Sequence, residues 1–206
     1  MNTRLHSLAP ALVTAALCSL PFALDRRAEA ASPEAGSPPV EYSIDAGHSQ
    51  ALFRVKHSGV AWFWGRFNTV NGTVHLDDED LTKSSVSIEI PVDSIDTGME
   101  KLDNHLKSGD FFAAEEFPKM TFESVETRKV EGDTYAVVGD LTIHGVTKEV
   151  TLDVTITGRG KGRRGPVAGF EATLDIKRSD YGVSYMVGEM LGDEVRLLVS
   201  LECGAR

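Results

Sequence analysis

The stretch Val150-Thr151-Leu152-Asp153-Val154-Thr155-Ile156 alternates apolar and polar residues without a break. Side chains of a strand point to opposite faces in turn, so this period of two builds one apolar face and one wet face. The same pattern runs through Val86, Ile88, Ile90 and Val92, through Phe170, Ala172, Leu174 and Ile176, and through Val195, Leu197, Val199 and Leu201. Ala51–His57, Phe67–Leu76, Met120–Thr127 and Tyr135–Ile143 add further strand candidates, with Asn71-Gly72, Gly132-Asp133 and His144-Gly145 as turn signals. Half-buried strands of this kind belong to antiparallel sheets. One helix is expected, over Gly98–Ser108, where Met99, Leu102 and Leu106 recur at helical spacing and Gly109 supplies a stop. An all-β fold follows: a closed antiparallel barrel of about eight strands, with one short helix in a long crossover. Closure removes the exposed edges that invite aggregation. A barrel of this size is either filled by side chains or holds one small ligand.

The N-terminus has a different character. Arg4 and His6 precede an apolar run from Leu8 to Leu24, and Ala28-Glu29-Ala30 follows. That is the layout of a secretory signal, with cleavage placed after Ala30. Residues 31–39, rich in Ser, Pro, Gly and Ala, read as a flexible leader, and residues 40–206 as a single barrel domain. The expected location is periplasmic or secreted. Beyond the signal only Cys203 remains, so no internal disulfide is expected. The formal net charge of −10 sets the chain against nucleic acid and anionic membrane, whose phosphates repel an acidic surface.

Several motifs suggest chemistry. Gly160-Lys161-Gly162-Arg163-Arg164-Gly165 matches a dinucleotide pattern, but Pro166 and an alternating strand follow where a helix is required. It reads as a glycine-rich hairpin loop. Asp77-Asp78-Glu79-Asp80 lacks the spacing of a calcium loop and reads as a polar turn. No two histidines stand at zinc-ligand spacing, and no G-x-S-x-G element occurs, so no metal and no catalytic residue are expected.

Two aromatic segments stand out. Trp62-Phe63-Trp64 cannot face one side of a strand together, so at least one ring points away from the core. Phe111, Phe112 and Phe117 fall in an irregular connection after the helix. They either seal the core or close over something apolar.

The ordered series Phe53-Arg54-Val55-Lys56-His57, Gly65-Arg66-Phe67, His105-Leu106-Lys107-Ser108, Asp110-Phe111-Phe112 and Phe117-Pro118-Lys119-Met120-Thr121-Phe122 continues through the chain. Gly139-Asp140-Leu141-Thr142-Ile143-His144-Gly145, Arg178-Ser179-Asp180-Tyr181-Gly182 and Leu191-Gly192-Asp193-Glu194-Val195 complete it. The sequence from Tyr42 to about Glu202 thereby resembles the YceI family, bacterial periplasmic polyisoprenoid-binding proteins. The resemblance implies an elongated, lipocalin-like barrel whose apolar tunnel holds an isoprenoid lipid or quinone, with no further cofactor. It implies that Phe111 and Phe112 face lipid or seal one opening. The lining candidates, one face of each strand, are Phe53, Val55, Phe67, Ile88, Ile90, Phe122, Leu141, Ile143, Leu152, Val154, Phe170, Leu174, Leu197 and Val199. Trp62 and Trp64 are added as a lip. His57, His105 and Arg178 are candidates for the polar head, whereas Asp180 is assigned to pinning its turn. A homodimer and transient membrane contact are further expectations. The competing readings are an enzyme at the barrel mouth using His57 or His105 as base, and a stress-response module gripping a membrane partner through Trp62–Trp64.

Overall fold

In the computed structural model, residues 38–205 are described. The expected signal segment and nearly all of the leader lie outside them. Strands β1 (Val40–Ile44), β2 (Gln50–His57), β3 (Ala61–Phe67), β4 (Asn71–Leu76), β5 (Ser85–Pro91) and β6 (Ile95–Asp96) come first. Helix α1 (Glu100–Lys107) follows. Then come the longer strands β7 (Lys119–Glu131), β8 (Thr134–Ile143), β9 (Val146–Lys161), β10 (Pro166–Lys177) and β11 (Leu191–Ala205).

All pairings between these strands are antiparallel. Strands β1, β4, β5, β7, β8, β9, β10 and β11 form a ring, which closes where Ile44 pairs with Cys203. The other three strands extend that ring upward. Strand β11 is long enough to pair with β1 near its end and with β2 along Leu191–Ser200. β2 then pairs with β3, and β3 with β6. In effect β1 and β2, β3 and β4, and β5 and β6 are halves of three broken strands, so eight staves make one elongated closed barrel. The upper end carries α1, the Phe-rich connection and the turns at His144-Gly145 and Arg178–Tyr181.

Phe67–Leu76, expected as one strand, breaks after Phe67. The expected Asn71-Gly72 turn is instead the start of β4. Gly72 adopts φ 147° there, and a Cβ on it would lie 2.0 Å from the carbonyl oxygen of Ser87. Close strand approach, not chain reversal, requires this glycine. The helix starts two residues later than expected. Gly98 (φ 75°) donates its N–H to Asp96 Oδ1 at 2.8 Å, and Asp103 Oδ1 accepts from the Thr97 N–H at 2.8 Å, so the chain turns before it can wind. The glycine-rich motif is a hairpin, closed by Gly162 N–H to Gly165 C=O at 2.8 Å. Asp77 Oδ1 accepts from the N–H groups of Glu79 and Asp80, which makes the acidic run a self-bonded turn.

Candidate functional site: an apolar cavity along the barrel axis

Inward-facing side chains leave a cavity of about 490 Å³ in the upper barrel and a second of about 140 Å³ below it. The two share Ile90, Leu141, Leu197 and Val199 in their walls, so they adjoin inside the barrel. On β11 the lining runs from Leu191 to Leu201, roughly 33 Å at about 3.3 Å per strand residue.

The structure sorts the candidates by face. Phe53, Val55, His57, Phe67, Ile90, His105, Phe111, Phe112, Leu141, Ile143 and Arg178 line the upper chamber. Ile88, Phe122, Leu152, Val154, Phe170 and Leu174 line the lower one, with Ile90, Leu141, Leu197 and Val199 between. Trp62 and Trp64 are not in the lining. Their strand alternates strictly, so Phe63, Gly65 and Phe67 face inward and the two tryptophans face out, each 46 % exposed. This corrects their placement as a cavity lip. Phe63 was the missed residue, and its signal was legible: it shares the phase of Phe67. Met99, Met186, Met190, Leu191 and Tyr185 were also missed. Met99 shares the helical spacing of Leu102 and Leu106, whereas the other four lie in turns or at an element end, where no period points to them.

The Phe-rich connection is bound to the end of α1. Phe112 N–H donates to Leu106 C=O at 3.0 Å, and Ala114 N–H to Lys107 C=O at 2.9 Å. Phe111 is buried, with ring centroids 5.2 Å from His105 and 5.1 Å from Tyr185. Phe112 stands edge-on to Phe67 at 5.8 Å. Both rings therefore line the cavity at its upper end. Phe117 does neither. It packs at 4.7 Å on His144, over Gly145.

The histidine and arginine side chains of the lining, His57, His105 and Arg178, belong to the upper chamber, whereas the polar residues of the lower one are Ser84, Ser85, Thr127, Tyr135 and Thr173. Arg178 is 7 % exposed. Its Nε donates to Gly192 C=O at 2.8 Å and its Nη1 to Val183 C=O at 3.0 Å. Nη2 is buried with no hydrogen-bonding partner among the described residues. Desolvation lowers the guanidinium pKa, and the charge of Asp193 opposes that shift. Burial works against the Asp193 carboxylate too, yet the N–H and hydroxyl of Ser179, at 2.9 and 2.8 Å, bring its pKa below the usual range, with Arg178 and Lys177 assisting. His105 Nε2 lies 2.9 Å from Asp110 Oδ2. His57 sits at the rim beside Ser58, whose hydroxyl is 3.2 Å from its Nδ1. Among the described residues, no serine, threonine or cysteine belongs to the upper lining. Asp180 is not in the lining either.

Elsewhere, Asp45, His48 and Glu202 meet on the surface. His48 Nδ1 is 3.0 Å from Asp45 Oδ2 and 4.0 Å from Glu202 Oε1. Sequence spacing does not show this group, because Glu202 comes from the far end of the chain.

A closed eight-stave antiparallel barrel around an axial apolar cavity is a lipocalin-like architecture. The chain belongs to the YceI family: the YceI-like domain matches residues 42–203. A UPF0312 protein of Yersinia pestis is 39% identical over 165 residues, 79% of this chain and 85% of that relative. The crystal structure of Burkholderia cenocepacia BcnA superposes with a TM-score of 0.71 at 27% identity, covering 77% of this chain and 98% of that one. A polyisoprenoid binding domain from Saccharophagus degradans, implicated in plant cell wall breakdown, superposes with a TM-score of 0.65 at 16% identity, over 81% and 99% of the two chains.

Proposed function

We propose that this protein is an exported carrier that binds one long isoprenoid lipid, of the prenyl phosphate or quinone type, along the barrel axis. The observation that carries this reading is the pair of adjoining apolar chambers along the barrel, with the histidine and arginine side chains of their lining, His57, His105 and Arg178, all in the upper one. Such a distribution suits a molecule with a long apolar tail and one polar head. Each CH₂ removed from water contributes about 0.8 kcal/mol, so the tail needs no polar contact to bind tightly. The upper chamber falls within the roughly 300–1,000 Å³ usual for ligand pockets. Arg178 Nη2, a buried donor without a protein partner, is the group best suited to receive an oxygen of the head. The polyisoprenoid binding domain among the similar structures supports the same ligand class.

The role is carriage or storage rather than catalysis. His105 is turned onto Asp110 and stacked against Phe111 and Tyr185, and among the described lining residues the only hydroxyls of the upper chamber are the phenols of Tyr181 and Tyr185. No cofactor beyond the bound lipid is invoked. Export to the periplasm follows from the N-terminal segment.

Native mass spectrometry of the protein purified from the periplasm without detergent, followed by solvent extraction, tests the proposal. One prenyl lipid or quinone per chain is expected. A bare protein that also refuses added prenyl lipids overturns it.

A further inference from the structure

The outer face of the β2–β3 hairpin carries a feature the cavity does not use. Trp62 and Trp64 are half-exposed, and cations are held on their rings. Arg54 Cζ lies 4.4 Å from the centroid of Trp62 and 5.5 Å from that of Trp64, and Lys56 Nζ lies 4.8 Å from Trp62. At the hairpin tip Val60 is 79 % exposed. Met99, Tyr185 and Met190 are also exposed, and these three line the upper chamber as well. They therefore rim its opening, and Ser58 N–H donates to Met190 C=O at 2.6 Å, which joins the hairpin tip to that rim. Exposed large apolar side chains thus collect around one opening, on a chain whose net charge is −10.

We infer that this face, from Trp64 over the hairpin tip to Met190, docks on the surface of a phospholipid bilayer and sets the cavity mouth against it. Tryptophans with an apolar body and a polar N–H, flanked by Lys and Arg, are the side chains that settle at the headgroup level. Arg54 and Lys56 face the phosphates, each contributing attraction that a neutral residue lacks. The neighbouring groove is balanced in charge: its acids Glu149, Asp175, Asp180 and Glu194 face Arg54, Lys148, Lys177 and Arg196, and Asp175 is bonded by Arg196. A cargo leaving the mouth then crosses from cavity to lipid without exposing its tail to water. The inference rests on the carrier reading for its purpose, but not for its measurement.

Trp62 and Trp64 are the only tryptophans of the chain, so its intrinsic emission reports this face directly. Protein purified from the periplasm is mixed with vesicles of phosphatidylethanolamine and phosphatidylglycerol at about 3:1, with and without bromine on the acyl chains. The expected result is a blue shift and bromine quenching. Lys56→Glu should weaken vesicle affinity about tenfold or more while the far-ultraviolet circular dichroism is unchanged. Trp62→Ser, with Trp64 left as reporter, should also reduce affinity. Unquenched tryptophans on vesicle-bound protein overturn the inference, since another segment then holds the membrane. Emission that shifts with protein concentration and ignores vesicles overturns it in favour of a dimer covering this face. Quenching by vesicles in a protein that carries no lipid leaves the docking standing and removes the carrier reading. A loaded protein with unquenched tryptophans does the reverse.

Discussion

The ring of Phe53 lies across Gly65, its partner on the neighbouring strand. A Cβ on Gly65 would sit 2.3 Å from Phe53 Cζ. The aromatic wall of the upper chamber therefore depends on one missing methyl group on β3.

Gly65→Ala should push Phe53 into the cavity, because the backbone of a paired strand yields less than a side chain. Overpacking of this kind costs about 1–3 kcal/mol. Urea denaturation should show that loss, and prenyl-lipid affinity should fall. The double variant Gly65→Ala with Phe53→Leu should recover affinity relative to Gly65→Ala alone. Equal affinities of the two would show that Phe53 does not shape the site.

Arg178→Leu removes two hydrogen bonds from a charged donor to backbone carbonyls, and leaves Asp193 with Lys177 but without the larger effect of Arg178. A loss of roughly 3 kcal/mol is expected, at about 1.5–3 kcal/mol per bond to a charged group. If Arg178 also receives the lipid head, a headless isoprenoid hydrocarbon should bind wild type and a folded Arg178→Lys variant alike. A prenyl phosphate should distinguish the two.

Asp96 fastens β3 to the entry of α1. Arg66 Nη2 and Nε reach its Oδ2 at 2.9 and 3.2 Å, Asn68 Nδ2 at 3.1 Å, and Gly98 N–H its Oδ1 at 2.8 Å. These bonds, Arg66 first, hold its pKa at about 2. A carboxyl whose folded pKa is depressed stabilises the fold above its unfolded value of 3.8 and loses that contribution as pH falls towards 2. Carboxyl carbon NMR should place its titration near 2. Acid unfolding of Asp96→Asn should lack that part of the pH dependence. His48 has the opposite sign. Asp45 raises its pKa above 6.5, so its contribution is complete below that value and fades as pH rises through the folded pKa.

Cys203 is 0 % exposed, and burial pushes its thiol pKa up to about 12. It should resist alkylation in the native protein at pH 8, since the thiolate is the reactive form. Modification should appear only with denaturant, at a rate set by barrel opening at the β1–β11 seam. Fast labelling of native protein would show that the seam is open.

The period-two alternation determined the strands, and with them the inward and outward sets, because a strand side chain has only two directions to take. It placed Phe53, Leu141, Leu152 and Phe170 on the inner wall before any partner strand was known. The ordered family residues named the barrel. The same alternation also held Trp62 and Trp64 outside and Phe63 inside, yet three adjacent aromatics concealed that phase.

What only the tertiary structure decided are relations between distant residues. Strand breaks at 45–49, 68–70 and 92–94 let eight staves serve two ends of one barrel, and no local preference specifies where a stave breaks. Met99, Tyr185 and Met190 became a rim because two connections, the entry of α1 and the chain between β10 and β11, meet at one opening. The solitary Nη2 of Arg178 exists because Gly192 and Val183, far along the chain or across a turn, claim its sister nitrogens. Side-chain direction is written locally, in the backbone's two-residue repeat. Cavity, rim and orphan donor arise from closure, which depends on contacts that no stretch of sequence contains by itself.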